Sequence, residues 1–146
     1  MLRILVGPNG CGKSEYLNRL AGYNTHINTT SGLEKIKEVE IIVDYAVENG
    51  SSIYIDNVDT FVDIQKIEKL CDMLIAASEK VDVWVSTHNV LLLNYLENDQ
   101  AIESVFLVKN GNLYPYFIER VKEKLYLMGP GEAYSDTDLD LWWEEI

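Results

Sequence analysis

Near the amino terminus, one run of residues has the types and spacing of a loop that binds phosphate groups. The run matches the pattern G-x-x-x-x-G-K-[ST] in full and consists of Gly7, Pro8, Asn9, Gly10, Cys11, Gly12, Lys13 and Ser14. Glycines let successive backbone N–H groups converge on an anion, and the positive end of a following helix adds to the attraction. The pattern therefore predicts a nucleotide site in which Lys13 reaches the β and γ phosphates and the Ser14 hydroxyl binds Mg²⁺.

Two later apolar segments end in polar residues that would complete such a site. Asp56 directly follows the run at 53–55, where a carboxylate would hold Mg²⁺. His88 ends a Ser-Thr-His sequence after the segment 81–86, and we expect it to contact the γ phosphate. The alternative for both is an ordinary role as a helix cap or turn residue.

The elements that must position these residues alternate along the chain. Short apolar runs predict strands at 2–6, 53–55 and 81–86, and a hairpin of two strands at 103–109 and 113–119. Apolar residues three and four apart predict helices at 15–20, 33–47, 60–79 and 90–97, with Lys35 and Lys37 on the solvent face of the second. This order predicts an α/β fold with a mainly parallel sheet, flanking helices and the antiparallel hairpin at the edge.

Composition limits the classes of function. A chain of 146 residues with 47% hydrophobic composition suits one globular domain with a real core. The formal net charge of −12 argues against binding to nucleic acid by direct charge attraction, because the phosphate backbone is also negative. No apolar run approaches the roughly 20 residues of a membrane span. The two cysteines, Cys11 and Cys71, suggest no disulfide framework. We therefore expect a cytoplasmic protein.

The three motif segments resemble the ATP-binding-cassette (ABC) branch of P-loop ATPases, in particular its soluble, non-transporter members related to DNA-repair, chromosome-organising and phage-defence ATPases. The loop at 7–14 resembles the family's G-P-N-G-x-G-K-S, the segment 53–59 its Walker B strand, and 85–89 its switch-histidine segment. The resemblance implies a P-loop NTPase-like sheet, ATP and Mg²⁺ as cofactors, Ser14 and Asp56 as metal ligands and His88 as a catalytic residue. It also implies a minimal nucleotide-binding domain at 1–128, followed by an acidic carboxyl-terminal tail at 129–146.

A weaker match concerns assembly. Thr29 to Glu34 resembles the family signature motif, whose serine and glycine, here Ser31 and Gly32, contact ATP bound to another subunit. The resemblance then implies an ATP-dependent homodimer, or a heteromer with another ABC-type ATPase. A second interpretation stays open, in which Ser31 and Gly32 only cap and turn the chain into the following helix.

This sequence departs from the family at the catalytic step. The usual helical subdomain and its Q-loop glutamine are missing between the loop and Asp56, and Asn57 stands where the family has a catalytic glutamate. An amide can hold a water molecule but cannot take its proton, which leaves Asp59 as a substitute base. Two hypotheses follow: an ATPase with weak hydrolysis, or a non-hydrolysing, nucleotide-gated interaction module that binds a larger ABC-type partner.

The carboxyl-terminal part offers two further features. The acidic segment 129–146 contains Trp142 and Trp143 among its carboxylates, which suits either a docking peptide or, as we prefer, a terminal helix on the protein's own sheet. Arg120, Lys122 and Lys124 alternate in a strand-like way, and we expect them to form a solvated strand face.

Overall fold

A five-stranded mixed sheet organises the chain, which was analysed as a computed structural model that describes residues 1–22, 32–88 and 90–146. The strands are β1 (Leu2–Val6), β2 (Ile53–Ile55), β3 (Val83–Ser86), β4 (Val105–Lys109) and β5 (Asn112–Pro115), in the spatial order β2-β3-β1-β4-β5. β1 pairs in parallel with β3 and β4, β2 pairs in parallel with β3, and β4 and β5 form an antiparallel hairpin at one edge. The predicted α/β fold and its edge hairpin are confirmed.

Seven helices accompany the sheet in the described part of the chain. They are α1 (Lys13–Leu20), α2 (Gly32–Asn49), α3 (Ile67–Ser78), α4 (Asn98–Ser104), α5 (Glu119–Met128), α6 (Pro130–Asp136) and α7 (Leu139–Glu145). Short 3-10 helices occupy Ile64–Lys66 and Val90–Tyr95. No described helix combines the length and the apolar composition that crossing a bilayer requires.

Alternation along β1 explains how both faces of the sheet are covered. Ile4 and Val6 belong to the large core, which also contains buried residues of α2, α3 and α5. Leu5, on the opposite face, packs in a smaller cluster with Leu17 of α1 and Val108 of β4. A strand buried on both faces is typical of the centre of a parallel sheet, and β1 therefore places the loop that follows it at a fixed position.

Several predicted element boundaries were wrong. The predicted helix at 60–79 begins only at Ile67, the predicted helix at 90–97 is a 3-10 helix, and the first strand of the hairpin begins at Val105 because 98–104 forms α4. Hydrophobic periodicity indicates which residues face the core, but it does not fix the residue at which a helix or strand begins.

The basic residues Arg120, Lys122 and Lys124 lie on helix α5, not on a strand face. Buried Val121 and Leu125, four residues apart, define the inward side of this helix. Arg120 pairs with Glu145 at 3.0 Å and Lys124 pairs with Asp136 at 3.2 Å, so two of the three basic side chains contact the acidic segment of the same chain. Their charge is partly neutralised within the molecule.

The acidic segment 129–146 forms α6 and α7 and packs against the rest of the chain. Trp142 is 4% exposed, and its Nε1–H donates to the Tyr116 carbonyl oxygen at 3.1 Å. Leu139 and Ile146 pack against the large core. The preferred interpretation of a helix lying on the protein's own fold is confirmed for Trp142, whereas the division of the chain at residue 128 stays a prediction.

Candidate functional site

The glycine loop connects β1 to α1, as its motif requires. Gly10 and Gly12 have φ values of 81° and 98°, in the left-handed region where a Cβ atom is strained and glycine is not. Gly12 is the N-cap residue of α1, and its carbonyl oxygen accepts from the Tyr16 N–H at 2.9 Å. The loop therefore turns sharply into a helix whose amino-terminal N–H groups face the same region as the loop.

Lys13 folds back over this loop. Its Nζ donates to the carbonyl oxygens of Gly7 at 2.7 Å and Pro8 at 3.4 Å, and the residue is only 5% exposed. Burial lowers the pKa of the Lys13 amine, while the nearby Cys11 and Asp56 act in the opposite direction. The amine is thus held at the loop by neutral carbonyl groups, and an anion bound there would complete its charge compensation.

Ser14 and Asp56 meet across the edge of the sheet. The Ser14 hydroxyl donates to Asp56 Oδ2 at 2.7 Å, although the two residues lie 42 positions apart in the chain. Ser86, at the end of β3, donates to Asp56 Oδ1, and the Asn57 N–H donates to Ser86 Oγ at 2.8 Å. The two residues predicted to share a metal ion are therefore neighbours, with a network that holds the Asp56 carboxylate in place.

These donors suit Mg²⁺ but not a cage built from protein alone. Among the described residues there is no group of three or more His, Cys, Asp or Glu side chains that could hold a metal ion. Mg²⁺ is commonly bound by one or two carboxylates, with water and substrate phosphate filling its other positions. One hydroxyl and one carboxylate therefore fit a Mg²⁺ ion that arrives with a phosphate ligand.

Asp59 is a second buried carboxylate, close to the first. It is 6% exposed, and the Thr87 hydroxyl donates to its Oδ2 at 2.7 Å. Burial raises the pKa of Asp59, and the Thr87 hydrogen bond and the charges of His88 and Lys35 oppose that rise. A carboxylate with a raised pKa is a better proton acceptor than an ordinary aspartate, which suits the predicted role as a substitute base.

His88 and Asn57 complete the site from two sides. His88 is exposed directly after the strand end, and it lines a small cavity together with Thr87, Val6 and Tyr134. Asn57 has a φ of 50°, a conformation that asparagine tolerates far better than most residues do. A glutamate here would adopt left-handed backbone at a cost of roughly 1 kcal/mol, which is a structural reason for asparagine at this position.

Comparisons of the chain with protein-family models, with curated proteins and with solved structures found no match.

Lys35 is a site residue that sequence reasoning assigned to the wrong face of its helix. The expectation placed it with the solvent-facing charges of α2, but it is 3% exposed. Val39, one turn further along α2, is fully buried, so Lys35 lies on the inward side of the helix. Burial lowers the pKa of the Lys35 amine, and the charges of Glu38, Asp59 and Asp56 oppose that shift.

Tyr134 of α6 is a second residue that sequence reasoning missed. Burial raises the pKa of the Tyr134 phenol, and a hydrogen bond with the Gly7 backbone opposes that shift. The acidic segment thus contacts the first residue of the glycine loop. Nothing in the sequence pattern indicates this contact, because it joins two segments far apart in the chain.

The remaining predicted residues are not all brought to the site. Ser31 lies outside the described residues, and Gly32 is the first residue of α2.

Proposed function

We propose that this chain is a minimal ABC-type nucleotide-binding module that binds ATP with Mg²⁺. The observation that carries the proposal is the 2.7 Å contact between Ser14 and Asp56, which joins the end of the glycine loop to the end of β2, two strands away from β1 in the sheet. A hydroxyl and a carboxylate in this relation to a phosphate-binding loop are the parts that hold Mg²⁺ in P-loop NTPases.

Each part of the site has a defined role in this proposal. The backbone N–H groups of 7–14 surround the α and β phosphates, and Lys13 moves from its carbonyl partners to the β and γ phosphates. Ser14 and Asp56 would hold Mg²⁺, which would supply positive charge against the phosphate oxygens. His88 contacts the γ phosphate from the end of β3, and Asn57 orients water near it.

We propose that hydrolysis at this site is weak. Asn57 cannot accept a proton, so Asp59 is the one carboxylate of the described cluster left to activate water once Asp56 binds the metal. The Asp59 carboxylate is 6% exposed and already accepts from Thr87, which restricts its access to water. The second hypothesis, a non-hydrolysing module that binds a larger ABC-type partner, is favoured by the same residue, Asn57.

The proposal includes nucleotide-dependent assembly. If Ser31 and Gly32 act as a signature motif, they would contact the γ phosphate on a second copy of this chain or on another ABC-type ATPase. Supporting this, Gly32 begins an 18-residue helix, and the amino terminus of a helix favours an anion.

The experiment that tests nucleotide binding compares Lys13→Ala with the wild type by calorimetry, in Mg²⁺ and in excess chelator. We expect Mg²⁺-dependent ATP binding by the wild type and at least a roughly tenfold loss of affinity in Lys13→Ala, because charge-assisted contacts to phosphate are lost. Lys37→Ala is the matched control, since Lys37 is an exposed lysine of α2. Equal ATP affinity in Lys13→Ala and wild type would contradict the proposal.

A further inference from the structure

Lys35 is a buried cation for which the described part of the chain supplies no direct ion-pair partner. It is 3% exposed, yet its amine forms no ion pair within 4.0 Å and no hydrogen bond with another described residue. Buried charges are normally paired, because taking an ammonium group out of water is costly. An arrangement of this kind is typical of functional sites, where the missing partner is a ligand.

The surroundings of Lys35 indicate where such a ligand would lie. Desolvation lowers the pKa of the Lys35 amine, and the charges of Glu38, Asp59 and Asp56 oppose the shift. Asp56 acts on the Lys13 amine in the same way. α2 packs against β2 and leads directly into it, so the first turns of α2, with Lys35, lie towards the carboxyl end of β2, where Asp56 follows. Lys13 comes to the same end of the sheet from the glycine loop.

An anion on the γ-phosphate side of the site would satisfy Lys35. In the proposed site the loop amides surround the α and β phosphates, Lys13 reaches the β and γ phosphates, and Ser14 and Asp56 hold the metal ion. The charge of Asp59 opposes the lowering of the Lys35 pKa, and Asp59 accepts a hydrogen bond from Thr87, the residue before His88, which is expected at the γ phosphate. A nucleoside diphosphate has no γ phosphate and would therefore leave Lys35 and His88 without a bound phosphate group.

We propose that Lys35 binds the terminal phosphate of a nucleoside triphosphate within the same chain, and that it gives the site its preference for triphosphate over diphosphate. This inference rests on the proposed function, since it adds a residue to the same nucleotide site. It favours the interpretation of Ser31 and Gly32 as cap and turn residues, because Lys35 lies one turn after Gly32 and one helix turn cannot contact both its own nucleotide and that of a second chain.

The test measures the affinities of a non-hydrolysable ATP analogue and of ADP, both with Mg²⁺, for four proteins. They are the wild type, Lys35→Met, Lys35→Arg and Lys37→Met. We expect Lys35→Met to weaken binding of the ATP analogue roughly tenfold while the ADP affinity stays within about twofold, because only the triphosphate reaches Lys35. Lys35→Arg should restore most of the preference, and Lys37→Met, at an exposed position of the same helix, should leave both affinities unchanged.

The outcomes separate this inference from the proposed function. If Lys13→Ala abolishes binding but the ratio of ATP-analogue to ADP affinity in Lys35→Met equals that of the wild type, Lys35 does not bind the terminal phosphate and only this inference is overturned. Equal losses for both ligands in Lys35→Met would overturn it as well, since they indicate a structural role. A wild type that binds neither ligand would overturn both proposals. Thermal melts monitor folding, and if Lys35→Met does not fold, the affinity ratio of Lys35→Gln decides in the same way.

Discussion

At the scale of single residues, the described part of the chain concentrates its buried polar side chains at one place. Apart from Ser104, the buried polar and charged residues that the structure describes are Lys13, Lys35, Asp56, Asp59, Ser86 and Thr87. Asp56 and Asp59 follow the carboxyl end of β2, and Ser86 and Thr87 lie at the carboxyl end of β3. Lys13 and Lys35 belong to α1 and α2. Burying these groups opposes folding, so their shared position favours a functional role over a structural one.

The effect of burying a charged group on the stability of the fold can be measured at Asp59. Because burial raises its pKa in the folded protein above the ordinary 3.8, the folded state holds the proton more tightly than the unfolded state does. The contribution of Asp59 to stability therefore falls as pH rises from that ordinary value through the raised pKa. We expect Asp59→Asn to have a higher Tm than the wild type near pH 7.5, and the difference to shrink towards about pH 4. The new amide oxygen can still accept from Thr87.

Thermal melts across this pH range check the expectation, with Asp63→Asn as the control because Asp63 is exposed in the same connection. A difference in Tm that is constant with pH, or an equal response in Asp63→Asn, would contradict the explanation by burial. If Asp59 also serves as the base, any ATP turnover should fall in Asp59→Asn while nucleotide binding persists.

At the scale of elements, the acidic carboxyl-terminal helices are part of the fold and reach the glycine loop. α7 is anchored through Trp142. Arg120 of α5 pairs with Glu145 at the end of α7, and Lys124 of α5 pairs with Asp136 at the end of α6. Exposed ion pairs of this kind contribute about 0–1 kcal/mol each, so the burial of Trp142 dominates. Tyr134 of α6 then links this part of the chain to Gly7.

Trp142→Ala should therefore destabilise the whole protein rather than release a tail. Removing a buried tryptophan costs about 3–5 kcal/mol, and the hydrogen bond from its indole to Tyr116 is lost as well. Denaturant unfolding measures the change, and Leu141→Ala is the control, because Leu141 is 54% exposed in the same helix. A loss of stability in Trp142→Ala no larger than in Leu141→Ala would show that α7 contributes little.

At the scale of the whole molecule, charge governs any self-association. A formal net charge of −12 on each chain means that two copies repel one another at low ionic strength. Salt screens this repulsion, since the Debye length falls to about 8 Å at physiological ionic strength. Nucleotide-dependent pairing would have to overcome the repulsion through local contacts.

We expect Mg²⁺ and ATP to convert the monomer to a dimer, and the dimer fraction to increase between about 50 mM and about 300 mM salt. Sedimentation velocity with and without nucleotide measures this directly. Ser31→Arg should reduce dimer formation, because it places bulk and charge at the proposed contact, without changing the ATP affinity of the monomer. A chain that binds ATP and stays monomeric at every salt concentration would count against self-pairing and favour a different ABC-type partner.

The sequence by itself determined those features that depend on neighbouring residues. Hydrophobic periodicity identified the α/β alternation and the edge hairpin, because periods of two and of about 3.6 reflect which face of an element is buried. The glycine loop was identifiable since its left-handed positions admit few residues other than glycine. Asp56 could be paired with Ser14 because parallel strands end at a common edge of the sheet.

Only the tertiary structure decided which side chains face inward where local patterns are ambiguous. Lys35 has the chemistry of a surface residue, and its burial follows from the packing of α2 against β2 and α3. The helix at 119–128 replaced a predicted strand because Val121 and Leu125 find a core to pack against. The contact of Tyr134 with the glycine loop likewise joins segments far apart in sequence, and the free energy of such long-range contacts has no counterpart in local periodicity.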